Sequence, residues 1–155
     1  MTQILVAIHI ISAVLFVGNI ITAAFWKMRA DRSGNLDTIA ITTQGLLRAD
    51  YMFTLPGIVG LLATGIALVG ITDWARFEEP WLSISLILLI ITGIIWAALL
   101  LPLQKRMVRL AQLAAASGTP DAAYRQASKR WAMFGGIATL LPVVILFLMV
   151  LNPGI

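Results

Sequence analysis

WLSISLILLIITGIIWAALLL, running from Trp81 to Leu101, contains no Lys, Arg, Asp or Glu. It has the roughly 20 residues that an α-helix needs to cross a hydrocarbon core about 30 Å thick. Working outward from it, three further segments share its character, at about Ile4–Trp26, Tyr51–Ile71 and Trp131–Leu151, and none of them is charged. Helices satisfy their own backbone groups in lipid, so the expected fold is all-α. We expect a four-transmembrane-helix bundle, up-down-up-down, as a single integral membrane domain over residues 1–155. Its spans fall at about 4–26, 51–71, 81–101 and 131–151, and its immediate partner is the lipid bilayer.

Composition agrees. Hydrophobic residues make up 60% of the 155 residues and charged ones only 12%, a balance that suits solution in lipid and leaves no room for a separate soluble domain. The net charge of +4 invites a nucleic-acid reading, but the basic residues flank the spans instead of lining a soluble face. No nucleic-acid partner is expected. With no cysteine, thiolate metal sites, iron–sulfur clusters, disulfides and cysteine nucleophiles are all excluded.

The basic residues also give a direction. Lys27, Arg29, Arg32 and Arg48 follow the first span, and Lys105, Arg106, Arg109, Arg125, Lys129 and Arg130 follow the third. Only Arg76 lies in the loop between spans two and three, beside Asp73, Glu78 and Glu79. The positive-inside rule then places the two long connections in the cytoplasm and both termini outside, which for a bacterial inner (cytoplasmic) membrane means periplasmic. The first span is not read as a cleaved signal, because its positive charges come after the apolar run.

The connections read as helical. Ser33-Gly34-Asn35 is a turn before an amphipathic stretch Leu36–Arg48, and Leu103–Ala116 favours helix until Ser117-Gly118. Thr119-Pro120-Asp121 restarts a helix, with Thr119 as N-cap and Pro120 at the first helical position. Trp26 and Trp131 fit the basic interface, Trp74 and Trp81 the opposite one, and Trp96 lies deeper as a packing residue. Gly60-x-x-x-Thr64 and Gly135-x-x-x-Thr139 have the spacing for close helix contact, within the bundle or in a homodimer. Pro56, Pro102 and Pro142 are expected to kink their spans. Arg48, Asp50, Lys27 and Arg130 share one depth and suggest an interfacial ion pair.

The chemistry rests on His9, the only histidine. His9, Ser12, Asn19 and Thr22 occupy one stripe of the first span, about 140° wide, and such a stripe should face the bundle interior. His9 sits about five residues inside its span, roughly 8 Å deep. Its imidazole is either a structural hydrogen-bonding group, an axial ligand for haem iron, or a relay for protons. A haem b usually takes two histidines and this chain supplies one. The iron is then five-coordinate, shared with a second chain, or completed by another residue. Met149, near the end of span four and at a similar depth, is the candidate. Arg76 is the natural partner for propionates. The candidate cofactor-binding residues are thus His9, Met149, Arg76, Ser12 and Asn19, with His9 as the metal ligand. No span carries an acid, which ranks a transporter or pump below these readings.

Several runs are familiar: Ile8-His9-Ile10-Ile11-Ser12-Ala13-Val14-Leu15-Phe16-Val17-Gly18, Asp50-Tyr51-Met52-Phe53-Thr54-Leu55-Pro56, Glu79-Pro80-Trp81-Leu82 and Leu148-Met149-Val150-Leu151-Asn152-Pro153. Together they resemble uncharacterised bacterial predicted integral membrane proteins grouped with the copper-resistance D-type proteins. The wider grouping includes the HemJ-type protoporphyrinogen oxidases, whose first-helix histidine is similar in placement to His9. The resemblance implies haem or porphyrin binding by analogy. It does not carry the oxidase activity over, since no second histidine is present, and scattered methionines make no copper cluster. The expectation is a membrane protein binding haem b or a porphyrin through His9, in electron transfer or another haem-related role. The alternative is a non-enzymatic structural, accessory or assembly subunit of a membrane complex.

Overall fold

A computed structural model describes residues 2–151, and among them every regular element is helical. Six α-helices follow in order: α1 (Thr2–Ser33), α2 (Leu36–Ala49), α3 (Leu55–Thr72), α4 (Pro80–Ile95), α5 (Leu101–Ser117) and α6 (Ala122–Leu151). Four helical rods are long and apolar enough to cross a membrane, because α2 runs into α3 and α4 into α5 without a break. The combined second rod, Leu36–Thr72, has 37 residues and is therefore roughly 55 Å long at 1.5 Å per residue. It exceeds a hydrocarbon core by more than 20 Å. The surplus extends the bundle at the end that carries the basic connections, hereafter the basic end. The opposite end holds Thr2 and Leu151.

The expected amphipathic helix Leu36–Arg48 is present as α2, and it continues directly into span two. A π-helical turn, Asp50–Thr54, joins α2 to α3, and a second, Trp96–Leu100, joins α4 to α5. Each closes with the amide of a leucine just before a proline. Leu55 N–H donates to the Asp50 carbonyl, ahead of Pro56, and Leu101 N–H to the Trp96 carbonyl, ahead of Pro102. A proline ring clashes with the carbonyl four residues back and offers no N–H. Widening the preceding turn accommodates both defects, so the helix continues through each proline.

The turns behave as their residues demand. Gly34 (φ 66°) and Gly118 (φ 68°) take left-handed backbone after α1 and α5, a conformation that is strained for other L-residues. The Asn35 side chain caps α2 by accepting from Thr38 N–H at 2.8 Å. The start of α6 differs from expectation. Asp121, not Thr119, caps it, accepting from Ala123 N–H at 2.7 Å. The Thr119 hydroxyl is instead paired with that of Ser117, 2.9 Å away.

In the bundle α1 packs along α3, α4 and α5 along α6, and α2 along α5; α1 also touches α6, while α3 and α4 scarcely meet. Packing is closest where α3 presents glycine. A Cβ on Gly57 would lie 2.8 Å from the Phe16 Cβ and 3.0 Å from the Ser12 carbonyl oxygen, and one on Gly60 would strike the Ser12 hydroxyl. The small-residue expectation holds for α3. Within the chain α6 makes no such approach: nothing lies within 4 Å of such an atom on Gly135 or Gly136. Tryptophan placement is also divided. Trp26 and Trp74 are 51% and 62% exposed, as interfacial indoles are, but Trp81 and Trp131 are buried inside the bundle.

Candidate functional site

The loose contact between α3 and α4 leaves a cavity of about 590 Å³ in the half of the bundle nearer the termini. Its walls come from all four rods and from Phe77 in the short 3₁₀ turn Trp74–Glu78. Nearly all of the lining is aliphatic or aromatic; Phe16, Leu89 and Pro142 are typical, and the polar exceptions are His9 and Ser85. His9 and Met149, widely separated in sequence, both line it.

His9 is held in one orientation. Its Nδ1 lies 2.8 Å from the Thr64 hydroxyl, and that hydroxyl donates its own proton to the Gly60 carbonyl one turn earlier in α3. A hydroxyl has one proton to give. With that proton on Gly60, the imidazole Nδ1–H donates to Thr64, and in the neutral ring the lone pair resides on Nε2. Among the described residues no hydrogen bond reaches Nε2. A Cβ on Gly65 would lie 3.5 Å from the ring carbon Cε1, in ordinary contact with the imidazole. A nitrogen ligand whose other ring nitrogen donates to a fixed oxygen is the usual arrangement at protein-bound metals.

The other sequence candidates stand apart from this cavity. The buried Ser12 donates to the Ile8 carbonyl of its own helix at 2.8 Å, beneath Gly60. Thr22 is exposed and bonds back to the Gly18 carbonyl, so the polar stripe does not run its full length inward. Arg76 pairs with Glu79 at 3.4 Å, beside Phe77 at the cavity rim. Asn19 belongs to a different group of residues.

That group is centred on Asp50, which is only 5% exposed. Its Oδ1 accepts from Asn19 Nδ2 and from the Thr54 hydroxyl, both at 2.9 Å, and its Oδ2 accepts from the Trp96 indole N–H at 3.1 Å. Asn19 also donates to Thr54 at 2.9 Å. Asp50 and Trp96 are the first residues of the two π turns, so the widened helices meet through this bond. The expectation that no span carries an acid is overturned. Asp50 lies within a continuous rod and is bonded to the middle of α1, and Arg48 does not pair with it.

Nearer the basic end, Lys27 is 3% exposed and forms an ion pair with Asp31. Ser128 accepts from Lys27 at 2.7 Å and donates to Asp31 at 2.8 Å, while the Tyr124 hydroxyl donates to Asp31 at 2.7 Å. The ammonium lies 5.2 Å from the Tyr124 ring centre and 6.0 Å from that of Trp131. These bonds clasp α1 to α6, replacing the expected pairing among Lys27, Arg48, Asp50 and Arg130. A second cavity, of about 650 Å³, reaches from this clasp to Asp50 and Trp96. Among the described residues no three His, Cys, Asp or Glu side chains converge as a donor set for a bare metal ion.

Thr64 and Asp50 are the functional candidates that sequence reasoning missed. Thr64 sat in a small-residue motif that accounts for helix packing alone. Asp50 preceded the apolar run by one residue and so read as interfacial. A faint signal existed for both, since Asn19 and His9 each require a partner from another helix.

The chain belongs to the family described as predicted integral membrane protein (DUF2269), whose model matches residues 3–153. No curated protein and no solved structure matches it.

Proposed function

We propose that this member of the predicted integral membrane protein family binds haem b or a related porphyrin in the cavity near its termini, with His9 Nε2 as axial ligand. The observation that carries the reading is the orientation of His9: Nδ1 engaged by Thr64, Nε2 without a partner, and the ring on the wall of an apolar cavity of about 590 Å³. That volume lies within the roughly 300–1,000 Å³ typical of pockets for small organic ligands.

The residues fit such a group at the macrocycle. Aliphatic and aromatic walls suit a porphyrin face, and Met149 brings a thioether to the same cavity as a candidate second ligand. Propionates need the rim. No Lys or Arg lines the cavity, and Arg76 precedes the rim residue Phe77 but is engaged by Glu79. When bound, the haem supplies one-electron redox chemistry. The chain's own part is to orient the imidazole, exclude water with its apolar walls and hold the Nδ1 proton on Thr64. Under the same reading the protein sits in a bacterial cytoplasmic membrane with its basic end inward.

Purification from cells supplied with haem precursor tests this. A Soret band that disappears in His9→Ala, with helicity retained by circular dichroism, is the expected result; a folded, colourless wild-type protein overturns it. Met149→Leu should change the spin state if the thioether completes the shell, and an unaltered spectrum removes it from the site.

One observation favours the second reading, an accessory or assembly subunit without a cofactor. His9, Ser12 and Asn19 all have hydrogen-bond partners inside the chain, so their polarity is accounted for structurally. The colourless outcome would support that reading.

A further inference from the structure

The cavity at the basic end presents a carboxylate that this chain does not neutralise. Asp50 is buried, its three hydrogen bonds come from neutral donors, and no Lys or Arg forms an ion pair with it among the described residues. Three other charged residues line the same cavity. Lys27 and Asp31 compensate each other, and Arg32 is exposed. Buried charges in proteins are ordinarily paired, and an acid inside a membrane bundle marks a binding or transfer site by default.

We propose that this cavity binds an organic ammonium with an apolar body, its charge directed to Asp50. Two features select that class. Oδ2 accepts a single bond, from Trp96, and a carboxylate oxygen has capacity for a second donor. The remaining wall is largely aliphatic, with the indoles of Trp96 and Trp131 among it, and about 650 Å³ is far more than a bare ion requires. The neighbouring clasp displays the same chemistry within the chain. There the Lys27 ammonium lies against a carboxylate and beside the rings of Tyr124 and Trp131. Asp50 with Trp96 repeats the carboxylate and the indole, and a ligand supplies the ammonium. The proposal is independent of haem at His9, which lines the other cavity.

Hexylammonium is a suitable probe, titrated into the full chain in uncharged maltoside micelles and followed by tryptophan fluorescence and calorimetry. Hexyl sulfate, with the same tail and opposite charge, is the control. Saturable one-to-one binding of hexylammonium is expected, weakened at least tenfold in Asp50→Asn, with no saturable binding of hexyl sulfate. Should Asp50→Asn fail to fold, Ala24→Leu, which reduces the cavity and leaves Asp50 in place, should weaken binding to a similar degree. His9→Ala should leave the affinity as it is. The proposal is overturned by absence of saturable binding to the wild type, by wild-type affinity in folded Asp50→Asn or in Ala24→Leu, or by hexyl sulfate binding as tightly as the amine.

Discussion

The two halves of the bundle differ in how many side-chain hydrogen bonds join one rod to another. In the half near the termini, hydroxyls turn back on their own helices: Ser12 to Ile8, Thr72 to Leu68 and Ser85 to Trp81. His9 to Thr64 is the one side-chain bond between rods there among the described residues. In the basic half, Asn19, Asp50, Trp96, Lys27, Tyr124 and Ser128 bond from one rod to another. Helices joined by side-chain hydrogen bonds hold their relative positions, whereas helices joined only by contact leave those positions to shape. The basic half is fastened by bonds between rods, and in the other half His9 is the polar cavity residue bonded across to a second rod.

The largest effect should come from undoing the fastening. Asp31→Asn leaves Lys27 buried without a counter-charge, and loss of one partner of such a pair costs about 3–5 kcal/mol. Lys27→Met, which removes the buried charge itself, should cost less. Unfolding of both variants by denaturant titration in micelles measures the difference, and equal losses would mean that the clasp acts by packing and not by charge.

Next in size is a change aimed at the other half. Thr64→Val keeps the shape but removes the oxygen that accepts from His9. If the imidazole is an axial ligand, haem affinity should fall by roughly 10–100-fold, the usual consequence of losing a supporting hydrogen bond. Spectral titration reads this directly, and unaltered affinity would detach Thr64 from the site.

Glycines sharpen the comparison further. Gly57→Ala drives a methyl into the α1 backbone and should destabilise by about 1–3 kcal/mol. The smallest effect has the reverse sign. Gly136→Ala meets open space in α6 and should stabilise by about 0.5–1 kcal/mol through reduced backbone freedom in the unfolded chain. Loss of stability in Gly136→Ala would reveal a close contact at that face, such as a second copy of the chain.

Much of this was legible from residues alone. The uncharged runs located the four spans because transfer of apolar side chains into lipid depends on composition, not on neighbours in space. Gly34, Gly118 and Asn35 announced their turns because backbone preference is local. His9 and Met149 were placed at similar depth on neighbouring spans, and both line one cavity.

Tertiary structure alone decided what those groups face. Asp50 looked interfacial because an apolar run began beside it, yet α2 and α3 form one rod and carry it inside. Its burial depends on Asn19, 31 residues earlier, and Trp96, 46 residues later. Thr64 differs from Thr72 in sequence only by position, and just one of them meets an imidazole. Hydrophobicity fixes how deep a helix lies, whereas its rotation and its choice of neighbour follow from hydrogen bonds and close contacts that form only after the helices assemble.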